Sequence, residues 1–407
     1  MFRTPGPVLI TVIMCLTMVA CLIDVFVFAT LIKTFEAEWA LTKAEQGWIS
    51  GIYFAGYTAT VPVLMAVTDR IDARRVHLSG SLIIALGALA FALFAEGFWT
   101  ALIFRTLSGI GLAAVYMPGL RVLVDRYSGA QESRAIAFYT ASWSLGVAGS
   151  FLVTGVIGEA LGWQAAVLSG AAAAIVSFLM VALLLAPIVP QQPEQRTRLL
   201  DFRPVFRNRA AMAFIFGYAA HTYELLAYRA WLVAFLAFSV TQQPTPAVGW
   251  LAEPARIAAF TALAAMIASV IGNEMAIRLG RARWIAAIQV SSGGLACGLG
   301  FLAGESYALV AGLAILHSFL IQADSAPLTA GVYAAAEPGR QGQTLAMHNF
   351  IGWTGGFLGP VAVGLVLGHF GKESVVGWGF GYAAMGIVGA LGAAVVLTLA
   401  GRRTDDA

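Results

Sequence analysis

The chain has 407 residues, 59% hydrophobic and only 11% charged. Soluble domains carry about a quarter charged residues, so a soluble globular fold is excluded. The formal charge of +3 gives no reason to expect nucleic acid, and Cys15, Cys21 and Cys297 lie in apolar runs without metal-ligand spacing, which argues against a disulfide framework.

An integral helical membrane protein remains. A spanning helix needs roughly 20 apolar residues. Twelve such runs follow in chain order, at about 8–32, 45–67, 77–95, 98–124, 133–157 and 163–187, then 209–238, 254–277, 284–303, 306–334, 344–368 and 376–400. The first is too long for a signal-peptide core and lacks a small-residue cleavage site, so it reads as a retained span. Residues 188–208 form a polar linker between a first half, 1–187, and a second, 209–407.

If the spans alternate, one side collects Arg3, the run Arg70, Arg74 and Arg75, then Arg126, Arg134, the arginines of the linker, Arg278, Arg281, Arg283, Arg340, Arg402 and Arg403. The other side holds Lys33, Lys43, Lys372 and Arg256. The positive-inside rule makes the first side cytoplasmic, with both termini on it.

The halves resemble each other. WSLGVAGSFLVTGVIG in span five and WTGGFLGPVAVGLVLG in span eleven align Trp143 with Trp353, Gly146 with Gly356 and Gly149 with Gly359. The loops after spans two and eight align Arg70 with Arg278 and Arg75 with Arg283. Both matches join element n to element n+6. Two parallel six-helix halves around a midplane site form a transporter architecture that works by rocking one half against the other. The glycine rows read as close-packed seams.

The loop after span two, with Asp69, Arg70, Arg74 and Arg75, resembles the signature loop of the major facilitator superfamily, Gly-x-x-x-Asp-Arg-x-Gly-x-Arg-Arg. Its two glycine positions are here Met65 and Asp72. Span four carries RTLSGIGLAA, similar to the family's Arg followed four and six residues later by Gly, here Arg105, Gly109 and Gly111. The Gly-Pro motif of drug–proton antiporters is absent from span five, where Ser150 follows Gly149. The resemblance implies that Asp69, Arg70, Arg74 and Arg75 form a cytoplasmic gate loop bridging the halves. Asp69 would cap or pair with a helix end in the other half, and the arginines would find carboxylates or helix C-termini.

Ionisable residues at membrane depth are functional candidates by default. At about 1.5 Å per residue, Asp24 lies about 12 Å into span one and Arg105 about 10 Å into span four. The resemblance packs these spans together, so the two are expected to be neighbours. They form either a structural ion pair or a site where protonating Asp24 releases Arg105 and couples proton movement to substrate binding. Span seven holds HTYELLAYRAW, in which His221, Glu224 and Tyr228 share a face, Tyr223 adjoins Glu224, and Arg229 is rotated away. Glu224, about 20 Å from the inner end, suits a proton carrier or a structural pair with Arg229 or a histidine. Span ten adds His317, Gln322 and Asp324. The resemblance lines the cavity with spans seven and ten, so His317 is expected to face His221 and Glu224. Asp324 reads as a gate residue or a cap near Pro327. A metal site from His221, Glu224, His317 and Asp324 is the alternative for these four, but no metal or cofactor is expected. No Gly-x-x-x-x-Gly-Lys loop supports direct ATP driving.

The expected whole is an all-α integral membrane protein of the major facilitator fold. It has twelve transmembrane helices in two pseudo-symmetric halves, in a bacterial-type inner membrane, and is a monomer in the lipid bilayer without nucleic-acid partners. The expected function is secondary active transport of a small solute by alternating access, with the proton as coupling ion. Buried Arg105 and Arg229 favour a small organic anion. Drug-like efflux by proton antiport is the alternative, with an intramembrane enzyme or a non-transporting sensor as readings of another class.

Overall fold

The computed structural model describes residues 6–68, 70–127, 129–188, 202–244, 249, 252–337, 340–371 and 373–400. Their regular elements are all helical. In chain order they are α1 (Pro7–Leu22), α2 (Val27–Thr30), α3 (Ile32–Trp39), α4 (Lys43–Thr68), α5 (Ala73–Phe94), α6 (Phe98–Val124), α7 (Gly129–Leu161), α8 (Trp163–Leu184), α9 (Arg203–Arg207), α10 (Arg209–Thr241), α11 (Pro254–Leu279), α12 (Arg281–Leu299), α13 (Tyr307–Gln322), α14 (Ser325–Ala335), α15 (Gln341–Phe370) and α16 (Val375–Leu399).

Among the described residues, ten helical segments are long and apolar enough to cross a membrane, with α13 and α14 counted together. The two other expected spans differ. Span one is not one helix. The 16-residue α1 gives way to turn at 23–26 before α2 and α3 follow. Span two is the single 26-residue α4, in which Gln46, Ser50, Thr58 and Thr60 interrupt the apolar residues.

The chain divides into two compact units, Met1–Trp39 with Ile52–Thr197, and Ala40–Gly51 with Arg198–Ala407. The first stretch of α4 thus clusters with the second unit. In the first unit α5 packs on α6 and α8, and α1 on α6, α7 and α8. In the second unit α12 packs on α13 and α16, and α10 on α13, α14, α15 and α16. Counted as spans, the pairings of the first unit recur six spans later, as the sequence match between spans five and eleven anticipates.

Glycines of the two matched spans stand at close helix contacts. On α7, a Cβ at Gly146 would lie 2.6 Å from the Leu22 side chain and one at Gly149 would lie 3.1 Å from Ile23. On α15, a Cβ at Gly355 or Gly359 would run into the backbone carbonyls of Ala219 or Tyr223. Helices in lipid associate through such close approach. Gly359→Ala is therefore expected to destabilise the protein by about 1–3 kcal/mol through overpacking, read as a lower thermal midpoint in detergent. Gly294→Ala, with open space around its Cβ, should leave that midpoint in place.

Candidate functional site

In the first unit, the break in span one exposes backbone groups that other helices satisfy. Arg105 Nη1 donates to the Asp24 carbonyl at 2.8 Å and stands 3.2 Å from Asp24 Oδ2. Nη2 donates to the Val25 carbonyl. The guanidinium also lies over the Tyr53 ring, 4.4 Å from its centroid, a cation–π contact. Ser150, on α7, reaches the same break, donating to the Ile23 carbonyl at 2.8 Å and accepting from the Phe26 amide at 3.0 Å. Asp24 and Arg105 are thus neighbours, and the arginine holds backbone as well as carboxylate.

In the second unit, the buried ionisable residues of spans seven and ten form two rungs. His221 Nδ1 lies 2.7 Å from Asp324 Oδ1. Gln289 Nε2, from α12, donates to Asp324 Oδ2 at 2.9 Å and to the Gly217 carbonyl at 3.0 Å. One turn along, Glu224 Oε1 accepts from Ser292 Oγ at 2.6 Å and lies 2.9 Å from His317 Nε2. The Tyr228 hydroxyl donates to the Ala314 carbonyl at 2.6 Å, and its ring meets His317 edge-on at 4.8 Å. The rungs are mirror-like: α10 supplies the histidine of one and the acid of the other. Antiparallel α10 and α13 produce this by helical periodicity, with His221 and Glu224 three apart on α10 and Gln289 and Ser292 three apart on α12. Each rung pairs one carboxylate with one imidazole rather than with an arginine.

The placement bears on several readings that the sequence leaves open. Asp324 stands in the turn between α13 and α14, but its side chain makes no cap hydrogen bond to α14. It turns to His221 and Gln289 instead. Glu224 pairs with His317 rather than Arg229. Among the described residues no three His, Cys, Asp or Glu side chains converge as a metal site requires, because the four candidates divide into two pairs. Tyr223 is half-buried, and Gln322 Oε1 is buried without a hydrogen-bond partner.

Arg229 is left over. It is 2% exposed, yet Nη2 has no hydrogen-bond partner. No ion pair reaches it among the described residues. At 3.6 residues per turn it sits between the α10 residue that meets α13, Tyr228, and those that meet α15, Thr222 and Leu226.

The loop between α4 and α5 is built around the residue that departs from the signature. Asp72 is the N-cap of α5, accepting from the Arg74 amide at 2.9 Å, and its second oxygen accepts from the Ile188 amide at 2.9 Å. Arg74 Nη2 donates to the Ala182 carbonyl at 2.8 Å, and Arg126 Nη2 to the Ala186 carbonyl at 2.6 Å. Both cations sit where the α8 dipole is negative. Burial pulls the Arg126 guanidinium below its ordinary range, and Asp72 and Asp125 oppose the shift. Arg70 and Arg75 are exposed, and Asp69 lies outside the described residues. Asp72→Ala is expected to cost about 1 kcal/mol through the lost cap. The readout is the thermal midpoint, with Asp72→Asn retaining part of the stability because its amide oxygen still caps.

Ser150, Gln289 and Ser292 were not legible as site residues. Each is a lone polar side chain in a span, and nothing local distinguishes it from the serines that bond their own helix.

The family model of the Major Facilitator Superfamily matches residues 14–252. The chain belongs to this superfamily. As a superfamily member it is a multi-pass integral membrane protein. A niacin transporter of Acinetobacter baylyi, NiaP, is 31% identical over 160 residues, 39% of this chain and 36% of its own length. A putative niacin/nicotinamide transporter NiaP of Bacillus subtilis is 24% identical over 185 residues, 46% of this chain and 45% of its own. A putative metabolite transport protein of Haemophilus influenzae is 25% identical over 162 residues, with 38% of its length matched. Each match therefore spans less than half of the curated relative. The fold likeness runs the full length. A bacterial homologue of the human lysosomal transporter Spinster, in an inward-facing and unoccupied conformation, superposes with TM-score 0.78 at 17% identity, covering 99% of this chain and 98% of that one. The nucleoside transporter NupG gives 0.77 at 16% identity, covering 96% and 99%.

Proposed function

We propose that this superfamily member is a secondary active transporter of a small organic anion, driven by protons and working by alternating access in a bacterial-type inner membrane. The observation that carries the substrate class is Arg229, a buried guanidinium left without a counter-ion while the other membrane-depth charges are paired. A buried unpaired charge is costly, so the position makes sense if a carboxylate completes it during transport. Relatives named as niacin transporters support the reading, because niacin is a small pyridine carboxylate. Glu224 with His317, and Asp324 with His221, are the groups that take up and release the coupling proton, and Asp24 with Arg105 is the corresponding pair of the first unit. The arginine-rich side of the chain faces the cytoplasm.

The test is uptake of labelled nicotinate into proteoliposomes with and without an inward proton gradient, competed by unlabelled nicotinate and by nicotinamide. Nicotinamide has the same ring and a neutral amide. Strong competition by nicotinate and little by nicotinamide is expected. Equal competition by the two would sink the assignment of Arg229 to a carboxylate.

A further inference from the structure

We propose that Ser150 is a positioning residue for Arg105, because it holds open the break in span one that Arg105 grips. The segment CLIDVFVF, 21–28, contains neither Gly nor Pro, the usual causes of a helix break. In the bilayer interior no water satisfies freed backbone groups, so a break lasts only where protein supplies partners. A regular helix would pair the Phe26 amide with the Leu22 carbonyl, and the Val27 amide with the Ile23 carbonyl. The Ser150 hydroxyl occupies one group of each pair, the Phe26 amide at 3.0 Å and the Ile23 carbonyl at 2.8 Å. It thereby competes directly with winding.

The rest of the break follows from that. The Ile23, Val25 and Val27 amides fall back on carbonyls three residues earlier, at 3.3, 3.1 and 3.4 Å. The Val25 carbonyl, which a continuous helix would close, is left for Arg105, and the Asp24 carbonyl is shared between Arg105 and the Val27 amide. The site is packed on both sides. Phe26 stacks on Phe151 at 5.0 Å, and Gly170 of α8 lies so close that a Cβ there would be 3.2 Å from the Asp24 Cα. Ser150 itself is fully buried. Without its hydroxyl, span one winds through, the two carbonyls withdraw, and Arg105 keeps only the Asp24 carboxylate and the Tyr53 ring.

The deciding measurement needs no substrate. The full chain, with nitrogen-15 arginine, is examined in lipid bilayers by solid-state NMR, and the Arg105 guanidinium resonances are assigned by their loss in Arg105→Lys. In Ser150→Ala these resonances should move by more than their linewidth. In Ser150→Thr, which restores a hydroxyl, they should return to the wild-type positions. Resonances unmoved in folded Ser150→Ala, with only the thermal midpoint lowered, would overturn the proposal. If Ser150→Ala does not fold, Ser150→Cys is read in the same way: its weak thiol donor should move the resonances, and unmoved ones overturn the proposal equally. The consequence for transport rests on the proposed role of the Asp24–Arg105 pair. There, the KM for nicotinate should rise about fivefold in Ser150→Ala, the worth of a typical lost hydrogen bond, and recover in Ser150→Thr. If wild-type protein moves no nicotinate, the substrate assignment fails, and the NMR result still decides the role of Ser150.

Discussion

Arg229→Ala is expected to abolish nicotinate uptake while making the empty protein more stable. Truncating one partner of a buried charge pair typically costs about 2–5 kcal/mol. At about 1.4 kcal/mol per factor of ten, that is a loss of about thirtyfold to several thousandfold in kcat/KM. Arg229→Lys should lose less than Ala but remain well below wild type, because an ammonium lacks the planar fork that meets a carboxylate with two hydrogen bonds. The empty protein should respond in the opposite sense. Arg229 is fully buried with an unpartnered nitrogen, and removing a buried unpaired charge relieves desolvation. Its thermal midpoint should therefore rise by several degrees in Arg229→Ala. Stabilisation with lost transport marks a residue kept for its ligand. Loss of both would mean that Arg229 serves the fold. Nicotinate should raise the thermal midpoint of wild type and leave that of Arg229→Ala unmoved, since only a ligand that binds the folded state stabilises it.

Glu224→Gln is the second large effect. It should remove proton-driven accumulation and leave exchange largely intact. The glutamine amide oxygen can still accept from Ser292, which donates to Glu224 at 2.6 Å, and the side-chain volume barely changes. What is lost is the ability to bind and release a proton. A gradient of one pH unit supplies about 1.4 kcal/mol per proton, or about tenfold accumulation of solute for each proton coupled. In Glu224→Gln that ratio should collapse toward unity, while exchange of labelled for unlabelled nicotinate keeps at least about a third of its rate. Equal loss of accumulation and exchange would assign Glu224 to binding or to the fold. Asp324→Asn tests the second rung in the same assay, with Gln289 still able to donate to the amide oxygen.

The fold class was legible from simple quantities. An apolar content of 59% and long uncharged runs demand membrane helices, and the spacing of glycines between spans five and eleven exposed the repeat. The seams lie where those glycines stand, since the absence of a side chain is itself the packing signal. Candidate charges were also legible, because a charge at membrane depth is conspicuous in its own local sequence. Their pairing was legible in part: the resemblance put Asp24 beside Arg105, while Glu224 was left between Arg229 and a histidine. Glu224 takes His317 and leaves Arg229 alone because α13 brings His317 to the acid's face of α10, a choice made by helix packing. Asp72 looked like a defect in the signature loop, but its partner Ile188 lies 116 residues away.

The sequence by itself determined that this is a polytopic helical membrane protein in two related halves, because hydropathy and small-residue spacing are properties of each segment alone. Only the tertiary structure decided which partners Glu224 and Asp324 take, that Arg229 has no ion pair among the described residues, and that span one breaks at Asp24. In lipid a backbone break or a buried charge persists only when other helices satisfy it. At Asp24 those partners are Arg105 and Ser150, brought in by α6 and α7.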